Sequence, residues 1–452
     1  MPALSTRLAS LPRSFSHPAP TLFRPRLRSL HSMTVIRAPA APSPTLGPSL
    51  VFPAIHPRRQ ELPDNEAKLA TISRDLRSDT LTVPTDSMFQ AMQRASRGDD
   101  VYLEDETTTS FEAEMAALAG KEAALFVVSG TLSNQLAIRT HLQQPPYSVL
   151  CDRLAHIQRY EAGGVAFHSG ALVECVQPRN DHHLTWQDDI LPNLVLGDDV
   201  HSAPTRLICL ENTLHGRIFP QEEIIRIAKG AAEHDIKLHC DGARLWNVAA
   251  ETGKSIEELC RPFDSVSMCL SKGIGAPVGT VLVGTAPFIR KARHFRKLFG
   301  AGIRQSGSLA AAARTGLSEH FPKLRATHQL ARFAADELEK LGVAIVGRPE
   351  TCMLFIDTAH LGFSLQELQE RAAQLPKPIR LGAARIVIHH QTSAKAIEDL
   401  IDLVRSLREE FAHRAYERES GSADGAPRAQ DGGNLYAAMS KSKHSRQSVD
   451  RV

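Results

Sequence analysis

The sequence predicts an α/β protein: a large domain in which a mostly parallel sheet is covered by helices, followed by a smaller α+β C-terminal domain. Three observations carry this. Short apolar runs alternate with helical patterns from Glu122 to Val283, the pattern of a parallel sheet with helices on both faces. Gly130, Asp241 and Lys272 each follow such a run, and ligands in these sheets sit beyond the carboxyl ends of the strands. Near Leu324 the rhythm changes to a long helix, short strands and a last amphipathic helix, Ser393 to Ala415. We divide the chain into an N-terminal extension (1–73), the large domain (74–322), the small domain (323–415) and a Gly-, Ser- and charge-rich tail (416–452) read as disordered.

In order, Pro84 fits a first helical turn, with Met88, Phe89 and Met92 as the apolar stripe. Thr107 to Ala119 has helical spacing through Phe111, Met115 and Leu118 and stops at Gly120. Glu122 to Val128 reads as a buried strand, and Ser129-Gly130-Thr131 turns into a helix carrying Leu132, Leu136 and Ile138. Further strands are expected at Ser148–Cys151, Leu172–Gln177, Thr205–Leu210, Lys237–Cys240, Ser265–Leu270 and Thr280–Val283. Past these, the helix holding Arg290, Lys291, Arg293, Arg296 and Lys297 is strongly basic. Such a face is usually just solvated, but it could supply cations to a neighbouring subunit's phosphate.

Composition excludes several classes. With 42% hydrophobic and 23% charged residues the chain is an ordinary globular protein. A formal charge of +3 gives no footprint for nucleic acid. No stretch reaches the roughly 18 apolar residues of a membrane helix. Seven cysteines are scattered without metal-ligand spacing and read as reduced core thiols. The doublets His182-His183 and His389-His390 would project apart on strands, so no metal site is expected. Before Glu61 there are eight arginines, no lysine and many serines and prolines. That is the composition of a mitochondrial transit peptide, although the prolines oppose a long helix and Met33 could start a cytosolic form.

The chemistry centres on Lys272 in SMCLSKGIGAPVGT. The glycines and Pro277 forbid a helix, so the lysine stands at a strand end, where its amine can form a Schiff base with a carbonyl compound or pyridoxal phosphate. A surface lysine at a turn is the plainer reading. Upstream, KLHCDGARLWN ends a strand in Asp241, whose carboxylate can pair with a pyridinium nitrogen or simply cap the next helix. Ser129-Gly130-Thr131 at a helix start suits a phosphate, though most such turns bind nothing. His156 is a candidate ring to lie over a cofactor, and His215 a second acid or base. Arg385 heads a late strand, where a guanidinium could grip a carboxylate with two parallel bonds.

Taken together, DLRSDT, GDDVYLEDETTTSFE, SGTLSNQ, HIQRYEAGG, ENTLHG, HCDGARLWN, SKGIGAPVG, GIRQSG and RIVIHH resemble, in order, the low-specificity L-threonine aldolase family of pyridoxal 5'-phosphate enzymes. The resemblance runs from about Arg74 to Ala415 and implies the aspartate-aminotransferase-like type I fold. It implies that Lys272 binds the cofactor covalently, Asp241 holds its ring nitrogen, and Arg244 sits near its phenolic oxygen. Gly130 and Thr131 would bind its phosphate and His156 would stack on its ring. Ser78 and Arg385 would fix an amino-acid carboxylate. Tyr102, Lys297 and Arg304 would act across a subunit boundary in a homotetramer. The implied reaction is retro-aldol cleavage of L-threonine or L-allo-threonine to glycine and acetaldehyde. An amino-acid racemase on the same scaffold is the alternative, and a non-catalytic homologue a more distant one. One departure stands out: many bacterial members have histidine directly after Glu-Asn-Thr, where this chain has Leu214 and then His215.

Overall fold

The structure is a computed structural model and describes residues 65–413. The expected leader and the tail from residue 416 lie outside the described residues.

The chain begins with α1 (Asn65–Ile72), α2 (Asp86–Arg94) and α3 (Glu106–Leu118). Thr85 and Asp105 cap the latter two, accepting from the amides of Met88 and Thr108, donors a helix leaves open by itself. Pro84 therefore precedes the cap and does not open the helix. The expected stripe on α2 narrows to Met88, because that helix packs along one line on a later helix; Phe89 points outward. Leu118 at the end of α3 is likewise exposed, while Phe111 and Met115 are buried.

Next come β1 (Ala123–Val127), α4 (Gly130–His141), β2 (Ser148–Asp152), the single-turn α5 (His156–Arg159) and β3 (Leu172–Val176). They are followed by β4 (Thr205–Glu211), α6 (Gln221–Glu233), β5 (Lys237–Gly242), α7 (Leu245–Thr252) and α8 (Ile256–Cys260). β6 (Ser265–Cys269), β7 (Thr280–Gly284) and α9 (Ala286–Leu298) lead into α10 (Gly307–His320), the helix against which Met88 packs. The chain then runs through α11 (Leu324–Lys340), β8 (Ala344–Ile345), β9 (Met353–Asp357), α12 (Leu365–Ala373), β10 (Arg385–Val387) and α13 (Ala394–Glu410).

Seven strands form one sheet in the order β1-β7-β6-β5-β4-β2-β3. β3, β2, β4, β5 and β6 pair in parallel; β7 runs antiparallel to both β6 and β1. Burial on both faces explains why β2, β6 and β7 are buried along their whole length and read as continuous apolar runs. The main core packs Phe111, Phe126, Leu150, Ile208, Trp246 and Met268 around this sheet, and Trp246 Nε1 donates to Cys269 O at 2.9 Å. A smaller antiparallel sheet, β10-β9-β8, packs with α11, α12 and α13 around Leu338, Phe363, Leu400 and Val404. Among the described residues no helix is long and apolar enough to cross a membrane.

Candidate active site

β6 and β7 run side by side, so the segment joining them folds back as a closed loop. Leu270 N donates to Gly279 O at 2.9 Å and shuts its base. Lys272 O accepts from Gly275 N at 2.8 Å and from Thr82 Oγ1 at 3.1 Å. Gly275 has φ +76°, and a Cβ there would lie 2.8 Å from His390 Cε1, so glycine is needed for conformation and for space. Two stacked imidazoles back the loop: His390 Nδ1 donates to Gly273 O at 3.0 Å and His320 Nδ1 to Ile274 O at 2.7 Å, with ring centroids 3.9 Å apart. Burial, then the neighbouring His320, pulls His390 down to about 3, so its ring is neutral. Lys272 is held only by its backbone. Its half-buried side chain makes no hydrogen bond or ion pair with the described residues.

At the end of β5, Asp241 is buried within a polar network. Its Oδ1 accepts from Ala243 N at 3.0 Å and its Oδ2 from Asn134 Nδ2 at 2.7 Å. Asn134 also donates to Glu161 Oε1 at 2.9 Å, Gln135 donates to Glu161 Oε2 at 2.6 Å, and His239 Nε2 donates to Asn134 Oδ1 at 3.2 Å. His156 Nδ1 donates to Glu161 Oε1 at 2.8 Å, and His156 N donates to Glu211 Oε2 at 2.8 Å. Burial opposes charge on His156, but the bond to Glu161 and the fields of Asp241 and Glu211 outweigh it and raise its proton affinity. Burial, then the charge of Asp241, pushes the Glu211 carboxyl up to about 8. Three potential metal ligands, His156, Glu161 and Asp241, thus converge, and each already has a protein partner.

Ser129 caps α4 by accepting from Leu132 N at 3.1 Å, and Ser133 N donates to Ser129 O. The amides of Gly130 and Thr131, in the first turn, have no intrahelical acceptor. A Cβ on Gly130 would stand 2.7 Å from Cys269 Sγ, so this glycine also lets α4 approach β6.

Arg244, following β5, makes two bonds to Asp79, at 2.6 and 2.8 Å. Burial would raise Asp79, but Arg244 overrides it, with Lys272 and Arg385 adding, and holds the carboxyl below its usual range. Ser78 Oγ, beside Asp79, shares a hydrogen bond with Thr80 Oγ1 at 2.8 Å. Arg385 Nη2 donates to Arg77 O at 3.2 Å, so the head of β10 reaches the same segment. His215 is half-buried with φ +52°, and its buried Nε2 has no partner among the described residues. Burial, then Arg385 and Arg244, lowers its imidazole to about 3. Leu214 instead packs among Leu154, Met353, Phe355 and Val387.

Lys272, Asp241, Arg244, His156, Ser78, Arg385 and His215 are therefore linked by contacts or by one shared field. Tyr102, Lys297 and Arg304 form a separate group. Arg304 pairs with Asp99 at 3.1 Å, Arg304 O accepts from Asp100 N, and a Cβ on Gly302 would touch both Lys297 and Val101. Tyr102 is 72% exposed, next to exposed Val101 and Leu103. Sequence reasoning missed Asp79, Asn134, Glu161 and Glu211, although each lies inside a quoted motif. The histidine doublets also behave otherwise than expected. His182 and His183 lie in a turn, with their Nδ1 atoms 2.9 Å apart, and His389 and His390 follow β10 instead of lying within it.

Comparison with known proteins places this geometry. The family model of the beta-eliminating lyases matches residues 75–360. The low specificity L-threonine aldolase of Saccharomyces cerevisiae is 46% identical over 333 residues, 73% of this chain and 85% of that protein. The alanine racemase TOXG of Cochliobolus carbonum is 35% identical, covering 74% of this chain and 87% of its own. The solved Leishmania major threonine aldolase superposes with a TM-score of 0.64 at 18% identity, over 74% of this chain and 99% of that one. That likeness establishes the type I fold of the pyridoxal-phosphate enzymes. The chain belongs to the beta-eliminating lyase family, within its low-specificity L-threonine aldolase group.

Proposed function

We propose that this protein is an L-threonine aldolase, cleaving L-threonine and L-allo-threonine to glycine and acetaldehyde with pyridoxal phosphate as cofactor. The observation that carries the reading is the pairing of Lys272, an amine without a protein partner, with Asp241, a buried strand-end carboxylate, beside open amides at the start of α4. These residues fit the cofactor. Lys272 would anchor it, Asp241 would pair with its ring nitrogen, the amides of Gly130 and Thr131 would take its phosphate, and the His156 ring would cover it.

Bound pyridoxal phosphate supplies an electron sink for the pair left on Cα when the Cα–Cβ bond breaks. Asp241 would make that sink effective by pairing with the ring nitrogen, and Asn134 and Ala243 N fix its direction. Arg385 and Ser78 would hold the substrate carboxylate and so fix which bond at Cα is presented for cleavage. Arg244 is held in place by its ion pair with Asp79 and would lie near the phenolic oxygen. His156 shares its Nδ1 proton with Glu161. His215 Nε2 has no partner among the described residues, so His215, His156 or a water they hold would take the β-hydroxyl proton as the aldehyde leaves. Leu214, packed in an apolar cluster, leaves this task to its neighbour.

The group around Tyr102, Lys297 and Arg304 supports an oligomer, a homotetramer by the family resemblance, in which these side chains complete a neighbouring subunit's site. Exposed Val101, Leu103 and Leu298 around them suit such a contact. For localisation we favour mitochondria over cytoplasm on the acid-free, arginine-rich start of the chain. A fluorescent fusion to residues 1–60 that stayed diffuse would remove that reading.

The deciding experiment offers L-threonine, L-allo-threonine and their D-forms to the cofactor-loaded protein and measures acetaldehyde and glycine. Release from the L-forms alone is expected. A protein that releases nothing yet racemises alanine is the racemase alternative, which the 35% identical relative keeps in view. One that never takes up the cofactor has only a binding role.

A further inference from the structure

β3 is an edge strand of the large sheet, and its parallel register with β2 sets Cys175 opposite Cys151. Neighbouring strands lie about 4.8 Å apart, within the Cα separation that a disulfide accepts. Paired residues project to the same face, and each thiol is the strongest single influence on the other. Their surroundings differ sharply. Cys175 is exposed, with a surface pocket framed by Arg153, Gln158 and Arg159 above it, whereas Cys151 is fully buried. The neighbouring Cys151 thiol lowers the Cys175 thiol; burial and the carboxylates of Glu174 and Asp152 oppose this, and Arg159 assists it. The net result is a Cys175 thiol below its ordinary value and a Cys151 thiol well above it. The other five cysteines, Cys209, Cys240, Cys260, Cys269 and Cys352, are all buried.

We propose that Cys175 and Cys151 form a dithiol that reacts with hydroperoxides, Cys175 as the attacking thiolate and Cys151 as the thiol that closes the bridge. An exposed thiolate beside a second thiol is the arrangement of redox-sensing cysteines. The Cys175 thiolate attacks one peroxide oxygen; the O–O bond breaks and hydroxide or alkoxide leaves, taking a proton from water. Cys175 is now a sulfenic acid. The Cys151 sulfur then attacks the Cys175 sulfur, the S–O bond breaks, and water departs with the Cys151 proton. Two thiols have lost two electrons to the peroxide, which is reduced to water or alcohol. A small thiol reductant reverses the bridge by exchange. Arg159, above Cys175, is the last residue of α5, whose first residue is His156, so the modified edge adjoins the helical turn that carries the ring-stacking histidine.

The test treats the full-length, cofactor-loaded protein with equimolar hydrogen peroxide, quenches it by alkylation in denaturant, and maps peptides by mass spectrometry. The expected product is a Cys151–Cys175 linked peptide that disappears on adding dithiothreitol. In Cys151→Ser, Cys175 should be trapped as a dimedone adduct of the sulfenic acid. In Cys209→Ser, whose position adjoins Cys151 on its other side, the bridge should form as in the parent. The proposal is overturned if Cys175 of the parent stays alkylatable, if it is oxidised without a link, or if the link runs to Cys209 or to another chain. Because the parent map decides by itself, a variant that fails to fold leaves the test intact.

Discussion

Glu211→Gln tests the polar network under the active site through its effect on stability. The Glu211 carboxyl lies at about 8, against an ordinary 4.5, because it is buried and faces Asp241. Above pH 4.5 the unfolded chain releases this proton while the folded protein keeps it until about pH 8. Stability is therefore lost across that interval as pH rises. His156, whose proton affinity is also raised, adds to the same loss. Desolvation holds the imidazoles of His141, His215, His239 and His390 at about 3 to 4, so the unfolded chain takes up their protons below about pH 6.5. Stability then falls as pH drops. The two trends oppose each other and balance near neutral pH, where the cofactor-free protein should be most stable. Between pH 6.5 and 8 the Glu211 contribution alone costs about 2 kcal/mol, at about 1.4 kcal/mol for each tenfold change in proton activity. Urea midpoints of cofactor-free protein at half-unit pH steps should show that loss as the difference between the parent and Glu211→Gln, in which the histidines act alone. Asp241→Asn, which removes the repelling charge, should flatten the slope in the same direction. Cofactor-free protein is required because a cation opposite Asp241 would relieve Glu211. Equal losses in the parent and Glu211→Gln between pH 6.5 and 8 would refute the reasoning.

Lys272→Ala should abolish acetaldehyde release and the cofactor's visible band while leaving far-ultraviolet circular dichroism unchanged, since the backbone and not the side chain holds the loop. Arg385→Ala should raise KM about 10- to 100-fold with a smaller change in kcat, the loss of a charge-assisted bond worth about 1.5–3 kcal/mol; an unchanged KM would place the carboxylate elsewhere. Gly275→Ala, forced to φ +76° and into His390, should destabilise the fold by about 2–4 kcal/mol, read as a lowered urea midpoint.

The large sheet was legible because its strands are short, apolar and bounded by glycine or polar turns. Strand ends expected at Cys240, Leu270 and Val283 fall within two residues of those observed. The reversed direction of β7 was not legible, since a strand buried on both faces reads the same either way round. Periodicity also failed at Phe89 and Leu118, where one packing line on a partner helix, not a broad stripe, decides what is buried. Lys272, Asp241 and the start of α4 were readable from their position after strands. Glu161, Asn134 and Glu211 were not, because each acts by meeting partners distant in sequence, such as Asn134 with Asp241. The sequence marked Gly130 for phosphate approach; the structure adds a second reason, contact with Cys269.

The stacked pair His320 and His390 has a further consequence. His390 holds the carbonyl next to Lys272, and Arg385 stands only five residues before it on the same short stretch. One extended segment of chain thus grips the backbone beneath the amine at one end and carries, at the other, the guanidinium proposed to bind the substrate carboxylate. An extended residue spans about 3.3 Å, so this stretch is a ruler set between Arg385 and the loop that bears Lys272.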